Sequence, residues 1–169
     1  MKVRNMVECA LFAALMTICA WISLPIGGVP VTLQTFGLYL TLLVLGGKWG
    51  SISIGIYLCL GFLGLPVFSG FQGGAGVLLG PTGGFLFGFM LTALLYWLIV
   101  SLLGRSLFIK LISLIFATFI SYFIGFLWFS KFAVSNFWLF SAPFILPDLG
   151  KLGLAIFLAK RLNSHRKTA

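Results

Sequence analysis

The chain has 169 residues, of which 61% are hydrophobic, 17% aromatic and only 8% charged, with a formal net charge of +9. Water must be met by polar groups, and soluble globular chains carry roughly 25% charged residues, so this composition excludes a soluble domain and points to lipid as the solvent. Nucleic acid is excluded as a partner too, because the basic residues fall between apolar runs and at the ends instead of forming a basic face.

In chain order, a first apolar span is predicted from Met6 to Leu24 and is stopped by the proline and paired glycines of Pro25 to Pro30. No small-residue cleavage site follows it, so a retained helix is expected in place of a removed signal peptide. A second span, Leu33 to Leu45, closes at Gly46-Gly47-Lys48, and a short third runs from Ser51 to Leu63. Gly64 to Gly80 is glycine-rich and uncharged, carries Pro66 and Gln72, and reads as a loop near apolar surroundings, a candidate lid. Spans four, five and six are predicted over Thr82 to Leu103, Leu111 to Phe129 and Phe140 to Ala159, before a basic tail from Lys160 to Lys167. Pro81 is expected in the first turn of span four, where its missing N–H is no loss.

The expected fold is therefore an all-α membrane protein, one compact domain over residues 1–169 built as a bundle of six transmembrane helices. Alternating the loops puts Lys2, Arg4, Lys48, Arg105, Lys110, Lys160, Arg161, Arg166 and Lys167 on one side and only Lys131 on the other. By the positive-inside rule both termini are expected in the cytoplasm, with the uncharged Pro25–Gln34 and Gly64–Gly80 loops outside.

Little catalytic chemistry is available. Cys9, Cys19 and Cys59 sit in apolar runs and read as small buried hydrophobes, while His165 lies in the polar tail, so no metal centre is expected. The two acids are Glu8 and Asp148, and Asp148 falls inside span six with Lys151 three residues on, on the same helix face. Each such charge costs about 2.5–3.5 kcal/mol near a helix centre, which makes a functional role the default reading. The plain alternative is a pair that neutralises itself and pins span six to a neighbour. Pro143 and Pro147 precede the pair, so this helix is expected to break or to start late, aiming free N–H groups at a ligand.

Gly80, Gly84 and Gly88 form a four-residue stripe on span four, suited to close helix packing or to a ligand. Ala10 and Ala14 make a second small-residue face, on span one, for an internal helix or another protein. Trp21, Trp49, Trp128 and Trp138 fall near span ends and read mostly as interfacial anchors. Gly73-Gly74-Ala75-Gly76 is not a phosphate-binding loop, since no strand precedes it and no Gly-Lys-Ser/Thr follows; any ATP-driven step must come from another subunit.

Three separated motifs, Gly28-Val29-Pro30-Val31-Thr32-Leu33-Gln34-Thr35, Gly80-Pro81-Thr82-Gly83-Gly84-Phe85-Leu86 and Pro147-Asp148-Leu149-Gly150-Lys151, together resemble the BioY family, the biotin-specific S components of energy-coupling factor (ECF) transporters. The resemblance implies capture of biotin on the outer side and docking to a transmembrane coupling protein with two ATPase subunits. It implies that Asp148 and Lys151 meet the ligand's ring system, that Ala10 and Ala14 face the coupling protein, and that Val29 to Gln34 is a gate, with Gln34 in the substrate site. Gln72 is the polar candidate in the third loop, and Thr82, Gly83 and Gly84 are placed at the pocket. Ser101 to Asn136 matches no motif. No cofactor is expected beyond biotin as cargo. The competing reading is a self-sufficient carrier in which Asp148 binds a proton or coupling ion. An intramembrane enzyme lacks the second aspartate or the histidine it would need.

Overall fold

Apolar runs surrounded by lipid must satisfy their backbone hydrogen bonds internally, and this chain does so almost wholly as helix. In a computed structural model, which describes residues 3–26, 29–132 and 137–168, the order is α1 (Val3–Trp21), β1 (Ser23–Ile26), β2 (Val29–Thr32), α2 (Gln34–Phe62), a 3₁₀ turn (Ser69–Phe71), α3 (Ala75–Leu79), α4 (Gly83–Leu103), α5 (Leu107–Phe129) and α6 (Phe137–Thr168). Among the described residues, α1, α2, α4 and α5 are long and apolar enough to cross a membrane.

The expected second and third spans are the two arms of α2. Gly46, at φ +77° and ψ 178°, leaves helical geometry inside the element. Gln34 Nε2 nevertheless reaches Tyr57 Oη at 2.6 Å. A straight helix would separate residues at that spacing by about 35 Å. The chain therefore turns back at Gly46, a conformation that suits glycine alone, and lays the arms side by side.

Several expectations are corrected. The all-α reading misses a hairpin: the Pro25–Pro30 segment does stop α1, but Ser23 then pairs with Thr32 and Leu24 with Val31 in an antiparallel ladder, with the prolines opposite each other. Proline is tolerated there because both strands are edges. Span six neither breaks nor starts late, since α6 begins at Phe137 and runs through Pro143 and Pro147. A helix in such surroundings can absorb a proline when neighbouring groups take up the freed carbonyl. Pro81 lies outside its helix, because α4 begins at Gly83 with Thr82 as N-cap. The expected loop from Gly64 to Gly80 holds the 3₁₀ turn and α3.

The stripe on span four serves packing. A Cβ at Gly84 would lie 2.3 Å from Trp128 Cβ, and one at Gly88 3.0 Å from Ser121 Cβ, so these glycines bring α4 against α5. Thr92 and Ser121 share a 2.5 Å hydrogen bond across the same seam. Outward positions such as Leu98, Phe116, Phe119 and Phe123 are as apolar as the core, as expected of a lipid-facing surface. Cys9 and Cys19 are buried as expected, but Cys59 is exposed on that outer surface; a thiol is apolar enough to sit there. Ser106 caps α5 by accepting from Ile109 N, which starts the helix four residues before the predicted Leu111.

Candidate ligand cavity

At one end of the bundle, the hairpin, the start of α2, the segment after α2 and the starts of α4 and the Asp148 region of α6 enclose a cavity of about 620 Å³. This falls within the usual range for small-molecule sites, ~300–1,000 Å³. Its walls include Phe68, Phe85, Leu86, Phe89 and Phe144, while Gln34, Thr35, Gln72, Thr82, Tyr122, Asp148 and Lys151 supply polar groups.

Among the described lining residues, Asp148 is the acid and Lys151 the base. One helical turn brings them together at 2.6 Å between Lys151 Nζ and Asp148 Oδ1. Lys151 Nζ also donates to Thr32 O at 2.7 Å and to Thr35 Oγ1 at 3.2 Å, which uses all three ammonium protons. Asp148 Oδ1 accepts from Thr35 Oγ1 at 2.8 Å, and Oδ2 accepts from Tyr122 Oη. Asp148 is only 5% exposed. Removing either ion would leave its partner uncompensated in a low dielectric, at about 3–5 kcal/mol. The pair thus ties α6 to α2, α5 and β2 and at the same time brings to the cavity an acceptor and a cation whose protons are held by Thr32, Thr35 and Asp148. A carboxylate has about four acceptor sites, and the described residues fill three of them, leaving one on Oδ2.

Gln34 is buried at the cavity wall, where Thr32 Oγ1 donates to its Oε1 at 2.9 Å and its Nε2 donates to Tyr57. Gln72 is exposed and lines the cavity from a tight turn in which Phe68 N donates to Gln72 O at 2.9 Å. Trp21 holds the same segment, donating from Nε1 to Pro66 O at 2.9 Å and lying 4.9 Å from the Phe71 ring. Trp128 likewise donates to Gly80 O at 2.9 Å, so both tryptophans clamp loops; the Trp138 side chain lies outside the described residues. Thr82 lines the cavity, whereas Gly83 and Gly84 do not: a Cβ at Gly83 would meet Leu78 O at 1.8 Å, and Gly84 faces Trp128. Ala10 and Ala14 are exposed on α1, away from this site.

Thr35, Tyr122 and the phenylalanine walls line the cavity without being singled out by the sequence. Tyr122 sits in the stretch that matched no motif, and the only available signal was a hydroxyl in an otherwise apolar helix.

The profile of the BioY family matches residues 1–168. A protein of Pyrococcus horikoshii named probable biotin transporter BioY is 41% identical over 167 residues, covering 98% of this chain and 99% of its own. The biotin transporter BioY of Thermotoga maritima is 52% identical over 90 residues, 53% of each chain. The crystal structure of the S-component for biotin from an ECF-type ABC transporter superposes with a TM-score of 0.86 at 31% identity, over 96% of this chain and 92% of that one.

Proposed function

The chain belongs to the BioY family, and on that premise we propose that it is the biotin-binding S component of an ECF-type vitamin transporter, taking biotin into the Asp148 cavity from outside the cell. The observation that carries this reading is the buried Asp148–Lys151 pair at the polar end of an aromatic-walled cavity. A ureido ring offers N–H groups to a carboxylate and a carbonyl to an ammonium, so both ends of the pair are used by one neutral group of the guest. Phe68, Phe85 and Phe89 suit the thioether ring and alkyl chain. Thr35 Oγ1 and Thr32 O occupy two of the Lys151 protons, so the ureido carbonyl takes over one of those places on binding.

The protein is a multi-pass membrane protein with one S-component domain. Six crossings are supported by the fold-back at Gly46, which divides α2 into two rods alongside α1, α4, α5 and α6. N-in, C-in orientation is supported by Arg4, Lys48, Arg105 and Lys110 at the end of the bundle remote from the cavity. Ala10 and Ala14 are the contact for the ECF coupling protein, which works with two ATPase subunits, since this chain has no nucleotide motif of its own. The ion-coupled carrier is the weaker reading, because Lys151 Nζ already stands 2.6 Å from Asp148, where a coupling cation would sit.

Equilibrium binding of labelled biotin to the purified chain in detergent, with neither nucleotide nor ion gradient, tests the assignment. Saturable binding at one site per chain is expected; dependence on an imposed gradient would favour the carrier.

A further inference from the structure

α4 spans about 30 Å from Gly83 to Leu103, and at its far end a second cavity, of about 780 Å³, is lined by Arg4, Lys48, Arg105 and Lys110. These cations come from four places: the start of α1, the elbow of α2, the α4–α5 turn and the first turn of α5. Glu8 is held by Arg4 at 3.0 Å, and Asp148 is in the other cavity. Lys48, Arg105 and Lys110 therefore have no ion-pair partner among the described residues.

Charged loops left in water by the positive-inside rule would explain basic residues at this end, but not their convergence on one concavity. Nor would they explain Tyr96, which lines the same cavity, is fully buried, and has a hydroxyl with no hydrogen-bond partner among the described residues. A buried donor without an acceptor is costly, and an oxyanion is the acceptor that this site's charge would attract. A neighbouring cavity of about 450 Å³ shares Leu43, Lys110 and Asn163 with this basic one and is lined besides by Leu107, Ile156, Ala159, Lys160 and Ser164. A basic lobe beside one with an apolar wall of Leu43, Leu107, Ile156 and Ala159 and a further cation, Lys160, matches a phosphate head followed by the start of an acyl chain.

We infer that this end of the bundle is a binding site for the phosphate of an anionic phospholipid, seated among Lys48, Arg105, Lys110 and the Tyr96 hydroxyl, with an acyl chain along Leu107 and Ile156. The site is separate from the biotin cavity and does not depend on what that cavity holds.

Native mass spectrometry of the full chain, equilibrated with equal amounts of phosphatidylglycerol and phosphatidylcholine of matched chains, is the test. The wild type is expected to retain phosphatidylglycerol about tenfold over phosphatidylcholine. R105Q/K110Q should bring the ratio close to one, and Y96F should give an intermediate value. Biotin binding, unchanged in both variants, verifies that they fold. Equal retention of the two lipids by the wild type overturns the inference without recourse to any variant. So does an undiminished preference in R105Q/K110Q that bind biotin, or complete displacement of the lipid by millimolar inorganic phosphate, which would assign the site to a free anion.

Discussion

The two ends of the bundle hold cavities of similar size, about 620 and 780 Å³, with opposite electrostatic designs. At the Asp148 end one acid and one base cancel, each satisfied by neutral neighbours, inside aromatic walls. At the Arg105 end four cations converge with Glu8 as the one nearby acid. A neutralised pair offers local donors and acceptors without a net field, which selects a neutral polar group such as a ureido ring. An uncompensated cluster offers a field, which selects an anion. Total net charge, read from composition, does not distinguish these ends; placement does.

The largest break in this comparison should come from K151M and D148N. Each removes a charged group that the ureido ring would bond, so biotin affinity is expected to fall by about 2–5 kcal/mol, or some thirtyfold to several thousandfold, measured by equilibrium binding. R105Q/K110Q, at the other end, should leave it unchanged. Equal losses from both ends would abolish the division.

Y122F removes one hydrogen bond to the Asp148 carboxylate and nothing from Lys151. A bond to a charged group is worth about 1.5–3 kcal/mol, so a loss of about ten- to a hundredfold in biotin affinity is expected. No loss would mean that the tyrosine only fills space.

Biotin methyl ester sharpens the assignment of Lys151, the cation among the described lining residues. If the pair reads the ureido ring, the ester should bind within about tenfold of biotin, since the lost carboxylate interaction is solvent-exposed and weak. A loss as large as that of K151M would put the carboxylate on the ammonium instead.

The smallest effect on binding is expected from A10W and A14W. These positions are exposed on α1, away from both cavities, so biotin affinity should change by less than about twofold, while uptake with the coupling protein and ATPases fails. Lost binding would mean that the alanine face packs inside the bundle.

How much was legible follows from the same physics. Asp148 and Lys151 stand out because a charge in an apolar run is costly, whereas Gln34 comes from the family resemblance and Gln72 from the need for a polar group in an uncharged loop. The Gly46 elbow was visible as a span boundary, since paired glycines and a lysine interrupt the hydrophobic run. Tyr122 was not visible, because in an aromatic-rich helix a tyrosine looks like its neighbours until the carboxylate it meets, 26 residues on, is placed beside it. The hairpin was read as a helix stop, since proline and glycine announce an ending but not the strand pairing that follows. Gly83 and Gly84 come to the pocket by the family resemblance, and in sequence a glycine block reads the same whether a ligand or Leu78 and Trp128 fill the space.

The central claim, that one neutral ureido group engages both members of the buried pair, is tested most directly by a structure with biotin bound. The ureido oxygen should lie within hydrogen-bond distance of Lys151 Nζ and a ureido N–H within reach of Asp148, with the rings against Phe85 and Phe89. Biotin bound elsewhere, or beside an unchanged pair that it does not touch, would contradict it.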